Sequence, residues 1–416
     1  MWKDNEREPA KLPRGFDFET GRNLRRKREL ESLFRDVAER HGAEEILTPT
    51  VHPRSYYDVD KIKKEEFIKA DIRDYKEDEF EEFREIGRHE AFLKPEETAA
   101  ASALVAKKVT KGDWEGESRF HYTSRFFRNG GAAGRGEKRE FSLSGFELFG
   151  DGSARADAEL MAIPAVFLEE AGFDSRVRFS DARIFHGLEQ ELTSSSEIES
   201  IDVIHIFELI HSAAAKKAES SNTRGDIEAV SEILDEAGVE GEKADFVKSL
   251  VDITGVGEFK SRLPDEMENH QMELAVKNME RLENLSEATD TETVFDPGTL
   301  KGISYYYSGT IFEIDLLKNV DVTAGIGTGG RYDDQVSKYL EGAEVPAAGL
   351  SIAMDRLAGE IDLEDNRPRT YLVRGESKSA LKKVQQLRRE GKRALILSEN
   401  LDKDSFENFK VLDLDH

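Results

Sequence analysis

Residues 125–141, RFFRNGGAAGRGEKREF, place arginines on both sides of a stretch holding four glycines. A guanidinium fork grips phosphate or carboxylate in bidentate fashion, and glycine lets backbone approach a ligand closely. Arg128 before the glycines and Arg139 after them are therefore candidate anion ligands, although an ordinary basic hairpin fits the same residues. On the returning segment a strand period puts Arg139, Phe141, Leu143, Gly145 and Glu147 on one face, with Ser142, Ser144, Phe146 and Leu148 on the other. A carboxylate on such a face can hold an amine or a second arginine. A solvent-facing ion pair there would contribute little.

Other chemistries find less support. The chain has no cysteine, which removes disulfides, thiolate catalysis and cysteine-ligated zinc. His41 and His52 stand alone and suit surface or dimer packing, while His205 and His211, six apart on a helix, do not share a face closely enough for zinc. No metal site is expected. The glycines of GIGTGGRY are not a dinucleotide fingerprint, because no βα crossover precedes them. EFEEFREIGRHE reads as a solvated acidic face. The late basic cluster Arg388, Arg389, Lys392 and Arg393 reads as a solvated helix end before a tRNA contact.

The elements that must position Arg128 and Glu147 are two strands, HYTSRFFR and REFSLSGFELFG, aromatic-rich and alternating, joined by a loop too long for a two-residue turn. Around them, residues 22–41 repeat apolar side chains at Leu30, Leu33, Phe34, Val37 and Ala38, a helical face ended by Gly42. Pro49 interrupts an extended run and points to an edge or interface strand. Residues 58–91 are densely charged and show no period. Helices are expected after Pro95 and over DAELMAIPAVFLEEAGF, with VRFSDARIF a short strand. A polar helical insertion is expected over 191–285, then strands at 303–316. GIGTGGRYDDQVSKYL reads as a loop entering a helix, and PAAGLSIAMDRLAG as a strand turning into a helix. A small βαβ pattern closes the chain. The order argues for an α+β fold built on an antiparallel sheet flanked by helices, not a doubly wound one. Expected domains are a core in two parts, 1–190 and 286–360, the insertion 191–285, and a small α/β remnant at 366–416.

Composition sets the background. The 416 residues carry 86 acidic and 60 basic side chains, a net charge of −26. This acidic protein repels nucleic-acid phosphate over most of its surface, so tRNA binding is not expected without a local basic patch. No apolar run approaches the roughly 18–20 residues of a membrane helix, and the charged start MWKDNEREPAKLPRGF lacks a signal-peptide core. A cytoplasmic protein with no membrane association is the expectation.

Several segments, in order, resemble the class II aminoacyl-tRNA synthetases of the histidyl branch, over roughly residues 12–190 and 290–358. LPRGFDF is similar to that family's N-terminal LPRGxxDF; HGAEEILTPTV, with Pro49, to its dimer-forming first motif; RFFRNGGAAGRGEKREF to its second. ELFGDGSARADAEL, GTGGRYDDQV and PAAGLSIAMDRL resemble the histidyl continuation, the GGGRYD signature and the third motif. The resemblance implies a homodimeric core with a pocket for ATP and histidine. It implies that Arg128 grips the ATP α-phosphate and Arg356 the γ-phosphate, with Arg139 alongside. Glu96 and Thr98, in LKPEETA against the family's PEGT, would hold the substrate amino group. Glu147 would supply a carboxylate at the histidine pocket, and Tyr306 and Tyr307 would line the imidazole.

The sequence also departs from the family's pattern. Gly130 stands where a glutamate reads adenine, Leu143 where a glutamine contacts histidine, and Ala103 and Ala353 replace an arginine and a glycine. LRPEGT has become LKPEET, with Lys94 and Glu97 changed. The catalytic arginine position holds Lys301 or, without a gap, Gly302. Losing one preorganised donor costs roughly 10²–10³ in rate, and lysine does not reproduce a bidentate fork. Two readings follow. One is a histidyl-synthetase paralogue that binds histidine or a related ligand without a cofactor. It would act as a regulatory subunit in histidine biosynthesis, with a short-form ATP phosphoribosyltransferase as partner. The other is a divergent, active histidine–tRNA ligase using ATP and Mg2+.

Overall fold

The computed structural model describes residues 12–57, 67–77, 83–129, 138–218, 222–300, 306–318, 321–360, 369–375, 378–397 and 409–413. The chain forms two compact units, Met1–Glu360 and Ile361–His416. The first opens with helix α1 (Gly21–Arg40), which buries Leu30, Phe34, Val37 and Ala38 and also Lys27 and Glu31; Leu33 is only half-buried. Gly42, at φ +77°, turns the chain out of the helix. A two-residue strand β1 (Glu44–Glu45) follows, then β2 (Val51–Pro53), β3 (Lys69–Glu77) and β4 (Phe83–Leu93). The last three make a small antiparallel sheet in the order β2-β4-β3. This hairpin occupies much of the charged stretch in which the sequence shows no period, so pairing rather than alternation defines it.

Helix α2 (Thr98–Lys111) follows Pro95 and ends at Gly112. Strands β5 (Ser118–Phe127) and β6 (Glu140–Phe149) then pair antiparallel, with Phe120 opposite Glu147, Tyr122 opposite Gly145 and Phe126 opposite Phe141. Helix α3 (Ala154–Glu170) is capped by Ser153, whose hydroxyl accepts from the Ala156 N–H. Phe167 on α3 meets Phe34 on α1 edge to face at 5.4 Å. After β7 (Asp174–Asp181) come six helices, α4 (Ala182–Ser195), α5 (Ser200–Ala218), α6 (Arg224–Glu236), α7 (Gly241–Ser249), α8 (Val256–Arg262) and α9 (His270–Ser286). The chain then returns through β8 (Thr293–Phe295), β9 (Thr310–Lys318), β10 (Asp321–Arg331) and β11 (Ala347–Ala353), and α10 (Met354–Glu360) closes the unit.

The main sheet runs β1-β5-β6-β11-β10-β9-β7-β8. Its interior pairs are antiparallel, and the edge pairs β1/β5 and β7/β8 are parallel. The architecture is the expected α+β one. One local expectation fails. GIGTGGRY is not a loop but the greater part of β10, in the middle of the sheet, and only a short 3-10 turn, Asp333–Lys338, follows it. Glycine is depleted in strands, and here it is present for space. A Cβ on Gly329 would lie 2.3 Å from the Phe312 ring, and one on Gly330 would lie 2.7 Å from Tyr307.

In the second unit β12 (Thr370–Arg374), β13 (Arg393–Leu397) and β14 (Phe409–Asp413) form a parallel sheet in the order β13-β12-β14. Helix α11 (Lys378–Arg389) covers it with Ala380, Val384 and Leu387, packed on Val373 and Ala394. Among the described residues no helix is long and apolar enough to cross a membrane, and no group of histidines and carboxylates is placed to hold a metal ion.

Candidate functional site

The hairpin β5–β6, the start of α2 and the glycine positions of β10 and β11 build one cleft. Register puts Glu147 on β6 beside Gly349 on β11, and Gly349 beside Gly330 on β10. These glycines, with Gly145, leave a shelf on the sheet, and large polar side chains lie on it. A Cβ on Gly145 would stand 2.3 Å from the Tyr122 ring, and one on Gly349 would stand 2.2 Å from a Glu147 oxygen and 2.7 Å from the Tyr332 hydroxyl. Glycine inside a strand marks such a close approach.

Glu147 is buried and densely hydrogen-bonded. Thr98 Oγ1 donates to it at 3.0 Å, and the Tyr332 hydroxyl donates to its other oxygen. Tyr122 also bonds it. Burial drives its pKa well above the usual carboxylate range, the charges of Glu96 and Glu97 adding to the effect and the Thr98 bond opposing it. The carboxylate on the Arg139 face is thus an interior group, not a surface ion pair.

Glu96, two residues before α2, accepts from the Ala99 N–H at 3.1 and 3.2 Å. Burial lifts its pKa to about 7, against that hydrogen bond, with Glu97 raising it further and Arg128 lowering it. Burying a carboxylate disfavours its charged form unless a cation stands beside it. Glu96 and Glu147, both held high first by burial and then by neighbouring carboxylates, are groups that a cation placed beside them would favour. Tyrosines complete the walls. Tyr306 packs on Tyr307 at 5.3 Å and Tyr332 at 5.8 Å, within hydrogen-bonding reach of Thr98, and Tyr307 lies over Gly330. Aromatic faces and carboxylates together favour an ammonium group on an otherwise flat, partly apolar ligand.

The candidate arginines lie at the open end of the β5–β6 pair and at the start of α10. Arg128 is exposed, donates from Nε to the Pro95 carbonyl at 3.1 Å and lies over the Phe141 ring at 5.2 Å. Arg139 sits at the base of the return strand. Its N–H donates to the Gly15 carbonyl at 2.7 Å, and its carbonyl accepts from the Arg128 N–H at 3.0 Å. Gly15 needs to be glycine here, because its φ is +87° and a Cβ would lie 2.7 Å from Arg139 Cγ. Arg356, at the start of α10, donates from Nη1 to the Gly325 carbonyl at 2.6 Å. Residues 130–137 and 301–305, and with them Gly130, Lys301 and Gly302, lie outside the described residues.

The structure thus brings Glu96, Thr98, Glu147, Tyr306 and Tyr307 together, with Arg128 near enough to lower the pKa of Glu96, whereas Arg139 and Arg356 hold the backbone at Gly15 and Gly325. It adds residues to which the sequence assigned no role. Tyr122 faces the cleft because its register partner is Gly145, a pairing legible once the hairpin is recognised. Tyr332 stands in the quoted GTGGRYDDQV segment, but only the placement of β10 aims its hydroxyl at Glu147. The arginine of that segment has a structural task. Arg331 is buried and pairs with Asp157 on α3 through Nε at 3.0 Å, and with Asp333 at 3.0 Å. Lys94 and Glu97 lie in the wall beneath α2 and bind each other at 2.9 Å.

The family model described as histidyl-tRNA synthetase matches residues 15–357. The chain is 26% identical to an ATP phosphoribosyltransferase regulatory subunit of Desulforamulus reducens, over 88% of this chain and 84% of that one. It is 27% identical to a histidine–tRNA ligase of Pyrobaculum neutrophilum, over 91% and 84%. In fold it is similar to a crystal structure titled as an ATP phosphoribosyltransferase regulatory subunit/histidyl-tRNA synthetase from Bacillus halodurans C, with a TM-score of 0.72, 20% identity, and 98% and 100% of the two chains covered. A histidyl-tRNA synthetase from Nostoc sp. PCC 7120 matches with a TM-score of 0.66 and 21% identity, over 96% of this chain and 88% of that one. With a family model spanning the sheet, the cleft and the helices between their two halves, the chain belongs to the histidyl-tRNA synthetase family.

Proposed function

We propose that this chain is a regulatory subunit of an ATP phosphoribosyltransferase, a cytoplasmic homodimer that binds histidine and does not charge tRNA. The observation that carries the reading is the asymmetry of the cleft. Its ammonium-binding side is complete, with Glu96, Thr98 and Glu147 set among tyrosines. In the family's pattern Gly130 stands where a glutamate reads adenine and Lys301 or Gly302 where the catalytic arginine stands, Ala103 and Ala353 replace an arginine and a glycine, and Leu143 stands where a glutamine contacts histidine. Several relatives bear the regulatory-subunit name. Removing transition-state donors suppresses adenylation far more than ground-state binding.

Titration calorimetry with histidine, and a pull-down of a short-form ATP phosphoribosyltransferase, test the reading. Binding of both is expected, and binding of neither refutes it. A second reading, an active histidine–tRNA ligase, is favoured by the retention of Arg128 and Arg356. In that case these two residues would hold the ATP phosphates, and Mg2+ would balance phosphate charge. Histidine-dependent ATP–pyrophosphate exchange above background would establish it.

A further inference from the structure

Helix α9, the last of the six between β7 and β8, sends one amide into the sheet. Asn278 donates from its side-chain nitrogen to Asp181 Oδ2 at 2.9 Å and to Thr310 Oγ1 at 3.0 Å. Both acceptors are buried, Asp181 at the end of β7 and Thr310 at the start of β9. The Thr310 hydroxyl gives its own hydrogen to Asp157 on α3 at 2.6 Å. Asp157 is also the carboxylate that holds Arg331. The order of donors is therefore fixed: Asn278 to Thr310, Thr310 to Asp157, and Arg331 to Asp157 from the other side.

This chain of contacts ends in the cleft. The Arg331 carbonyl accepts from the Ser308 N–H at 2.8 Å, and Ser308 follows Tyr307, whose ring lies over Gly330. The Ser308 hydroxyl accepts from the Asp333 N–H at 2.9 Å, and Asp333 accepts from Arg331 Nη1. Tyr332, between Arg331 and Asp333, donates to Glu147. One wall tyrosine and the partner of the buried carboxylate are thus held by the same set of bonds.

We propose that Asn278 is a positioning residue for ligand binding: it fixes the Thr310–Asp157–Arg331 unit, and through it Tyr307 and the Tyr332 hydroxyl on Glu147. The inference rests on the histidine reading above. Asn278 acts through these contacts and not on the ligand itself. Without its N–H groups the buried Thr310 hydroxyl loses the donor it accepts from, and a buried acceptor in that state shifts to find another.

Calorimetry with histidine on the full chain, beside urea unfolding, separates positioning from mere support. Wild type is titrated first; if it does not bind histidine, the histidine reading itself is refuted and this inference falls with it. Asn278→Leu keeps the bulk and removes the donors, and should weaken histidine on the order of tenfold. Thr310→Val, which removes the relaying hydroxyl, should do the same. The double variant should be no more than about twofold weaker than either single one, because both break one chain of contacts. Leu282→Ala, one turn further along α9 and fully buried, is the control; it should lower the urea midpoint and leave histidine affinity within about twofold. Unchanged affinity in folded Asn278→Leu, with only the urea midpoint lowered, marks a supporting role and overturns the proposal. A double variant whose loss is the product of the two single losses overturns it as well. Should Asn278→Leu fail to fold, Thr310→Val decides: weakened histidine binding supports the proposal, and wild-type affinity overturns it.

Discussion

Histidine affinity should rise with pH through neutrality, because the cleft must lose a proton to receive an ammonium. Glu96 titrates at about 7 in the free protein, raised first by burial and then by Glu97. Its ionised fraction is then about one tenth at pH 6 and nine tenths at pH 8. An ammonium ligand selects the ionised form, so apparent affinity scales with that fraction. From Glu96 alone, binding should be about tenfold weaker at pH 6 than at pH 8. The sign is fixed by the charge: a proton and the ligand compete for the same carboxylate. Calorimetry in two buffers of different ionisation enthalpy reads the released proton directly. Glu96→Gln separates the protein's contribution from the ligand's own imidazole, and should weaken binding while flattening the curve. Affinity independent of pH between 6 and 8, with no proton released, would refute the reasoning.

Three further outcomes follow from the same geometry. Arg331→Met strands Asp157, which is 3% exposed, and should cost about 3–5 kcal/mol in urea unfolding; adding Asp157→Leu should recover most of it, and a loss under about 1 kcal/mol would contradict the assignment. Gly349→Ala drives a methyl to 2.2 Å from the Glu147 carboxylate, so histidine binding should fall at least about tenfold even where the circular-dichroism spectrum is unchanged. His52, fully buried, has its pKa lowered to about 4, first by burial and then by the charge of Lys94, and burial also lowers His121. A basic group with a folded value below its free value of about 6.5 takes up its proton more readily unfolded, so stability present above that pH is lost as pH falls toward 4, by roughly 3 kcal/mol for His52. Thermal midpoints at pH 7.5, 6 and 5 should drop accordingly, and an unchanged midpoint would show that the ring is not held neutral.

The sequence by itself determined the elements whose information is local. The α1 stripe from Leu30 to Ala38, the aromatic strands β5 and β6 and the helix stop at Gly42 each follow from side-chain period or backbone freedom. It also marked Glu96, Thr98, Glu147, Tyr306 and Tyr307 through the order of family-like segments. The tertiary structure decided what depends on pairing between distant strands. The β3–β4 hairpin alternates too weakly to announce itself, and β10 looks like a loop because its glycines are there to make room for Tyr307 and Phe312. The same holds for electrostatics. Nothing in LKPEET says that Lys94 and Glu97 turn inward onto each other, or that Tyr332 reaches Glu147. Burial and proximity across the sheet fix those contacts, and they set the charge of the cleft.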